Sequence, residues 1–279
     1  MPDARTRSAL VVGCGFVGLP LARLFHSKGW KTHGVTSSKD SASKLGTESF
    51  SISAIDITDA DSVGDLAPVF FDVVIHCASS GQGGATAYEK IYLRGTENLL
   101  TKLRCGHFMM AGSTSVYAQA DSSIVDESSE TAPERETGKI LLQAERRILD
   151  ANGSIGRLAG IYGRERCAPL RKLLAGEAVL EGDGERIMNM IHHDDAASAL
   201  FFIAQNDYRG IFNITDNHPV TQREWFESVC ACLNRPLPPT GPRVFDRKRG
   251  WTNKRVSNQK IRSLGWAPKY PTFLDGLAS

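Results

Sequence analysis

Along the first 160 residues, short apolar runs alternate with longer stretches whose apolar positions recur every three or four residues. The runs Ala9–Val12, Lys31–Val35, Phe50–Ile55, Val73–Cys77, Phe108–Ala111 and Ile155–Leu158 hold mostly Val, Ile, Phe or Met and are too short for helices. Between them, Gly15–Lys28, Ala87–Leu103 and Lys139–Ala151 have helical length and period. Strand–helix–strand alternation of this kind predicts an α/β fold, a doubly wound parallel sheet with helices on both faces.

After Gly163 the rhythm breaks. Leu170–Gly176 reads as a short helix, Gly182-Asp183-Gly184 as a turn, Asp194–Ala204 as a helix and Gly210–Thr215 as a strand. Thr221-Gln222-Arg223-Glu224 is a capping box opening a helix to about Leu233, and the proline-rich Arg235–Gly241 follows as a rigid loop. The expected division is a doubly wound sheet domain over 1–163, with a returning segment near 190–216. A small C-terminal α/β lobe over 164–189 and 217–279 completes it. The lobe is expected beside the carboxyl edge of the sheet, where open α/β sheets bind ligands.

Composition narrows the partners. Hydrophobic and charged fractions of 41% and 23% fit a globular chain, and a net charge of +2 argues against nucleic acid. The polar opening MPDARTR runs straight into strand-like sequence, and no apolar run approaches the roughly 18 residues of a spanning helix. A cytoplasmic protein with no membrane partner is expected. Six scattered cysteines then read as reduced, buried thiols, and Cys230 with Cys232 lacks the second pair a zinc site needs, so no metal is expected.

The first strand leads into Gly13-Cys14-Gly15-Phe16-Val17-Gly18, a G-x-G-x-x-G directly before an amphipathic helix. Placed there, the three glycines have separate roles. Gly13 makes the tight turn, Gly15 admits a pyrophosphate, and Gly18 lets helix and strand pack closely. The helix N-terminus adds unpaired N–H groups and partial positive charge. The fold is therefore expected to be Rossmann-type, with Gly13, Gly15, Phe16, Val17 and Gly18 at a dinucleotide. At the tip of the second strand, Thr36-Ser37-Ser38-Lys39 offers hydroxyls and a cation where an acid would hold the ribose of NAD. NADP is the expected cofactor, with NAD the alternative.

Further landmarks resemble the extended short-chain dehydrogenase/reductases, the NAD-dependent epimerase/dehydratase family. Asp56-Ile57-Thr58-Asp59 resembles its adenine-contacting acid and neighbour, and Asp72-Val73-Val74-Ile75-His76-Cys77-Ala78 its fourth strand, which ends beside the cofactor. The resemblance thus adds Asp56, Ile57, Ala78 and Ser79 to the cofactor residues. Gly95-Thr96-Glu97-Asn98-Leu99-Leu100 resembles the central helix, and Ala111-Gly112-Ser113-Thr114-Ser115-Val116-Tyr117 the strand carrying the active-site serine, here Ser113. Arg157–Gly163, Ile191–Ala197 and the tail from Ser257 through Leu264-Gly265-Trp266 to Thr272 fit later motifs in order. Two departures stand out. The glycine loop is one residue shorter than the family's G-x-x-G-x-x-G, and the family's Tyr-x-x-x-Lys is missing. Thr137 and Leu141 occupy those positions on the helix that also carries Glu145.

That loss has a chemical meaning. The tyrosine is the proton donor or acceptor, and the lysine cation lowers its pKa. A threonine hydroxyl does not ionise near neutrality, and Leu141, with Ala144, Ile148 and Ala151, forms an apolar stripe instead. The remaining catalytic candidates are Ser113 and Thr137, which could bind a substrate without titrating. Tyr117 and Tyr162 follow sheet strands, where either could serve as a substitute acid or simply pack. His192 and His193 before two aspartates read as a structural hinge, since no nucleophile motif accompanies them. The basic, aromatic-bearing segment Arg243–Arg255 could grip a phosphate-bearing substrate, or be a solvated loop. The resemblance implies an atypical epimerase/dehydratase- or reductase-like protein acting on a small molecule, such as a nucleotide sugar or carbonyl compound, between Ser113, Thr137 and the lobe. It also implies a homodimer through the helices at Ala87–Leu103 and Lys139–Ala151. The alternative is a catalytically silent NADP(H) sensor.

Overall fold

The structure is a computed structural model describing residues 5–81, 83–163, 166–245 and 251–277. Seven strands form the central sheet: β1 (Ser8–Val12), β2 (Lys31–Thr36), β3 (Ser51–Ala54), β4 (Phe70–His76), β5 (Arg104–Ser113), β6 (Ser154–Leu158) and β7 (Gly210–Ile214). Their order is β7-β6-β5-β4-β1-β2-β3, and the sheet is parallel, as the strand–helix alternation implies. The chain steps outward from β1 through β2 to β3, then returns to the far side of β1 with β4. Val12 pairs in register with Val35 on one side and His76 on the other, so three strands end level. Strand order reverses at β1, which makes this the switch point of the sheet.

β1 is buried throughout, as a strand covered on both faces must be. Helix α1 (Gly18–Ser27) turns Leu21, Ala22 and Phe25 inward, and Phe25 meets Trp30 edge-on at 4.9 Å. Some strands run further than their apolar cores suggest. β4 begins at Phe70 and β5 at Arg104 because these residues pair along the backbone whatever their side chains. The helix read over 87–103 is Ala85–Tyr88, a π-helical turn Glu89–Arg94 and Gly95–Lys102 in direct succession. Short helices went unread at α2 (Lys39–Lys44) and α3 (Ala60–Gly64), and further along the chain at Gln259–Ser263 and Phe273–Leu277. α2 and α3 are started by side-chain caps, Ser38 and Asp59 respectively, rather than by an apolar period.

The chain forms two compact units, Met1–Gly112 with Glu136–Gly156 and Ala197–Ile211, and Ser113–Arg135 with Arg157–Ala196 and Phe212–Ser279. This grouping puts Ser113–Arg135, assigned above to the first domain, with the later segments. Within the second unit, two-residue strands pair Ile124–Val125 with Arg255–Val256, Leu180–Glu181 with Thr240–Gly241, and Ile187–Met188 with Val220–Thr221. Its core gathers Tyr162, Met190, Trp225, Phe226 and Phe273. Such short strands carry no legible period. The cysteines are free thiols, but only Cys14 and Cys230 are buried; Cys77, Cys105 and Cys167 are half-buried and Cys232 is exposed, against the expectation that all six are buried. Cys232 sits on the solvent face of its helix, two residues from buried Cys230.

The capping box opens the helix Gln222–Leu233 as read: the Thr221 hydroxyl accepts from the Glu224 N–H at 3.1 Å, and the Glu224 carboxylate accepts from the Thr221 N–H at 2.7 Å. Thr221→Ala should lower stability by about 1 kcal/mol, seen as a lower denaturant midpoint at unchanged m-value. An unchanged midpoint would mean that this helix end is held by packing alone.

Candidate nucleotide site

The glycine loop leaves β1 at the switch point. The N–H groups of Gly13 and Cys14 both donate to the Val35 carbonyl, at 2.8 and 2.9 Å, tying the loop to the end of β2. Gly13 has a φ of +94°, and a Cβ there would lie 2.4 Å from the Ala78 nitrogen, so only glycine meets both the turn and the neighbouring chain. A Cβ on Gly18 would come within 2.1 Å of the Gly13 carbonyl oxygen, closing the loop on its own helix. A Cβ on Gly15 would meet nothing within 4 Å. Two of the three glycines are thus consumed by the fold, and the third faces open space.

That open face lies at the start of α1. The N-cap position, Val17, makes no side-chain cap, and the first turn holds no acid. Pro20 has no N–H and the Leu19 N–H donates to the Gly15 carbonyl at 3.0 Å, but the positive end of the helix dipole meets no acidic side chain in the first turn, which suits a bound anion. The residues therefore fit a dinucleotide pyrophosphate. Beneath the loop, burial pushes the Cys14 thiol up to about 11 and Cys77 higher still, so both stay neutral and unreactive.

The other predicted cofactor residues stand at neighbouring strand ends of the same unit. Thr36 is buried, its hydroxyl donating to the Ser38 carbonyl at 3.2 Å; Ser37, Ser38 and Lys39 are exposed. Ser38 caps α2 by accepting from the Ser41 N–H at 3.2 Å. The Ile55 N–H donates to the Thr36 carbonyl at 2.8 Å, which brings Asp56 and Ile57 beside the tip of β2. Asp56 turns one oxygen back to the Thr58 N–H at 2.9 Å. Ile57 is buried, and its carbonyl accepts from the Asn98 amide at 2.8 Å. Ala78 lies against Gly13 and Ser79 is exposed. The sequence reading missed Asn98 and His76 as holders of these segments. Asn98 stands inside the quoted Gly95–Leu100 motif, but nothing in the motif shows where its amide points.

Of the catalytic candidates, Thr137 belongs to the first unit and Ser113 to the second. Thr137 is buried in the first turn of the helix Glu136–Asp150. Leu141, Ala144 and Ile148 are core residues there, as the apolar stripe implies, whereas Ala151 lies past the helix end and is exposed. Glu145 is also buried on this helix, its Oε1 3.2 Å from where a Cβ on Gly112 would stand. Lys139 points to solvent, 3.7 Å from Glu136. Ser113 caps the short helical turn Thr114–Val116, its hydroxyl accepting from the Ser115 N–H at 3.2 Å. The hydroxyl hydrogen is not used in that bond.

In the second unit the two tyrosines considered as substitute acids are structural. Tyr117 is fully buried: its hydroxyl donates to Asn213 at 2.9 Å and accepts from Arg157 at 2.8 Å, and burial raises its pKa. Burial also raises Tyr162 far above the ordinary phenol range, and its ring packs on Phe273 at 4.7 Å. His192 accepts from the Asp194 N–H at 3.3 Å, while Asp195 accepts from the backbone N–H groups of Lys269 and Tyr270 at 2.7 and 2.9 Å. These bonds anchor the tail. In the basic segment, Arg247, Lys248 and Arg249 lie outside the described residues. Arg243 sits 3.7 Å from Asp183, and Lys254 is buried, donating to the Tyr117 carbonyl at 2.8 Å, with burial lowering its pKa to about 8.

One cluster in the first unit imitates a serine–histidine–aspartate triad. His107 Nε2 is 2.7 Å from Ser154 Oγ, and its Nδ1 is 3.2 Å from Asp207. In a working triad the serine hydrogen goes to the histidine. Here Ser154 donates to the Tyr208 carbonyl at 2.6 Å, and both Ser154 and His107 are buried. The cluster is a staple, not a nucleophile.

Comparison with known proteins agrees with this geometry. A family profile described as the NAD dependent epimerase/dehydratase family matches residues 9–215. The chain is 30% identical over 125 residues to 3-diazoavenalumate denitrifying reductase of a Streptomyces species, covering 42% of this chain but only 41% of that protein. It is 27% identical over 285 residues to Protein YeeZ of Escherichia coli (strain K12), covering 95% and 97% of the two chains. Among solved structures, an NAD-dependent epimerase/dehydratase assigned as such from Methylobacillus flagellatus superposes with a TM-score of 0.81 at 23% identity, over 98% of this chain and 96% of the other. The dTDP-glucose 4,6-dehydratase DesIV from Streptomyces venezuelae, solved with NAD bound, gives 0.79 at 22% identity over 97% and 94%. At these identities the structural likeness speaks for the fold.

The glycine loop makes a paired prediction. Gly15→Ala should leave thermal stability nearly unchanged yet weaken dinucleotide binding at least about tenfold, because the added methyl occupies the open face. Gly18→Ala should destabilise the protein itself, because its methyl meets the Gly13 carbonyl. Calorimetric melting with nucleotide titration separates the two, and equal behaviour of both variants would count against the assignment.

Proposed function

The chain belongs to the NAD-dependent epimerase/dehydratase family, and on that premise we propose that it is an NADP(H)-preferring reductase or epimerase acting on a carbonyl or sugar-nucleotide substrate. The observation that supports this most is the open, uncapped start of α1 behind Gly15, a place for a pyrophosphate with no protein anion in competition. A nicotinamide bound there would donate or accept a hydride. The preference for NADP(H) rests on the tip of β2, where Ser37, Ser38 and Lys39 are exposed and no acid precedes Asp40. Ser113 retains a hydroxyl hydrogen to donate to a substrate oxygen, and Thr137 contributes a second, non-titrating hydroxyl in its own unit. Neither ionises near neutrality, so water carries the proton of the reaction.

The silent-sensor alternative gains nothing from the relatives, several of which are named for reductase or synthase activities. Their substrates are properties of those proteins; for this chain they set only the classes of compound to screen.

Titration of the purified protein with NADPH and NADH tests the reading directly. NADPH should bind more tightly, and Lys39→Glu should weaken NADPH about tenfold while leaving NADH unchanged, since a lysine meets only the extra phosphate. Tighter NADH binding would reverse the cofactor assignment, and no binding of either nucleotide would end the proposal.

A further inference from the structure

His76 ends β4 and is buried, and the function proposed above assigns it no part. Its two ring nitrogens face groups of fixed character. The Ala78 N–H, which can only donate, points to Nδ1 at 3.3 Å; the Ile91 carbonyl, which can only accept, lies 3.1 Å from Nε2. A neutral imidazole has one donor and one acceptor, so these partners dictate the tautomer: the hydrogen is on Nε2. Burial lowers the pKa to about 4, and the ring stays neutral at working pH.

Both partners matter to the nucleotide site. Ala78 is the residue whose backbone lies against Gly13, so close that a Cβ on that glycine would be 2.4 Å from the Ala78 nitrogen. Ile91 lies in the π-helical turn Glu89–Arg94, where the Gly95 N–H donates to the Lys90 carbonyl five residues back. Such turns widen the helix and recur at functional sites. The rings of Tyr92 and Tyr88 extend from His76 at centroid separations of 6.1 and then 4.9 Å, walling the imidazole on one side.

We propose that His76 is a positioning residue for the nucleotide site, a neutral clamp that fixes the turn after β4 against the glycine loop and ties it to the π-helical turn. The inference rests on the nucleotide-binding reading above. The bond to Ala78 sets where the Ala78–Ser79 edge stands, and the bond to Ile91 keeps the ring oriented to make it.

Two substitutions divide these bonds. In His76→Asn the side-chain oxygen reaches the Nδ1 position and keeps the Ala78 bond. In His76→Gln the amide nitrogen reaches the Nε2 position and keeps only the Ile91 bond. NADPH affinity should stay within about threefold of wild type for His76→Asn and fall about tenfold or more for His76→Gln, even where melting temperatures drop alike. Nitrogen-15 NMR of the wild-type histidines gives a second measurement without mutation: His76 should show the Nε2–H tautomer, and its signals should move when NADPH is added. Equal affinity of the two variants, an Nδ1–H tautomer, or signals indifferent to bound NADPH would overturn the clamp while leaving nucleotide binding intact. A wild-type protein that binds no nucleotide would overturn the underlying reading and the clamp with it.

Discussion

The site depends on one close approach, that of Gly13 to the backbone of Ala78. β1 and β4 are neighbours in register, so the chains leaving Val12 and His76 must part within van der Waals distance of one another. A side chain on the first of them is excluded, and the loop has to turn in a conformation that only glycine adopts without strain. Once that turn is made, Gly18 is pressed onto the Gly13 carbonyl, α1 must start where it does, and its N-terminus is aimed across the carboxyl ends of the sheet. The open face at Gly15 is what remains after the packing is satisfied. An anion site follows from strand order and sterics before any ligand-specific residue is considered.

The physics explains which parts of this were legible in the sequence. Apolar runs and glycine spacing report burial and backbone freedom, which act within a few residues, so the sheet, α1 and the glycine loop could be read directly. His76 and Asn98 could not. Both occur in motifs that were noticed, yet their work is to bond backbone atoms 15 and 41 positions away in the chain. The π-helical turn is likewise hidden, because its residues, EKIYLR, satisfy a helical period that does not register one widened turn. The two-residue strands of the second unit lie beyond reach for the opposite reason, being too short to carry any period.

The helix Glu136–Asp150 spends its inward face largely on packing. Thr137 and Leu141 are both buried on this helix, one with a hydroxyl that does not ionise near neutrality and the other apolar. Leu141 joins Ala144 and Ile148 in the core, so its side chain contributes packing. The tyrosines of the second unit, Tyr117 and Tyr162, are likewise held in its packing. Tyr117 spends both capacities of its hydroxyl on Asn213 and Arg157, and releasing it would leave two buried polar groups unpaired, a cost of about 1–3 kcal/mol each.

This constrains what chemistry the protein can run. On the function proposed above, hydroxyls that do not ionise leave Ser113 and Thr137 to orient a substrate rather than to shuttle its proton. Hydride transfer needs orientation more than it needs an acid when the developing oxyanion can be met by a hydrogen-bond donor and water. On that reading the burden shifts from proton transfer to geometry, onto the residues that hold the glycine loop and the neighbouring strand ends in place. In the described residues that burden falls on backbone atoms at the ends of β1, β2, β3 and β4, and on the few side chains that pin them: Asn98 on Ile57, Thr36 on its own turn, and His76 on Ala78.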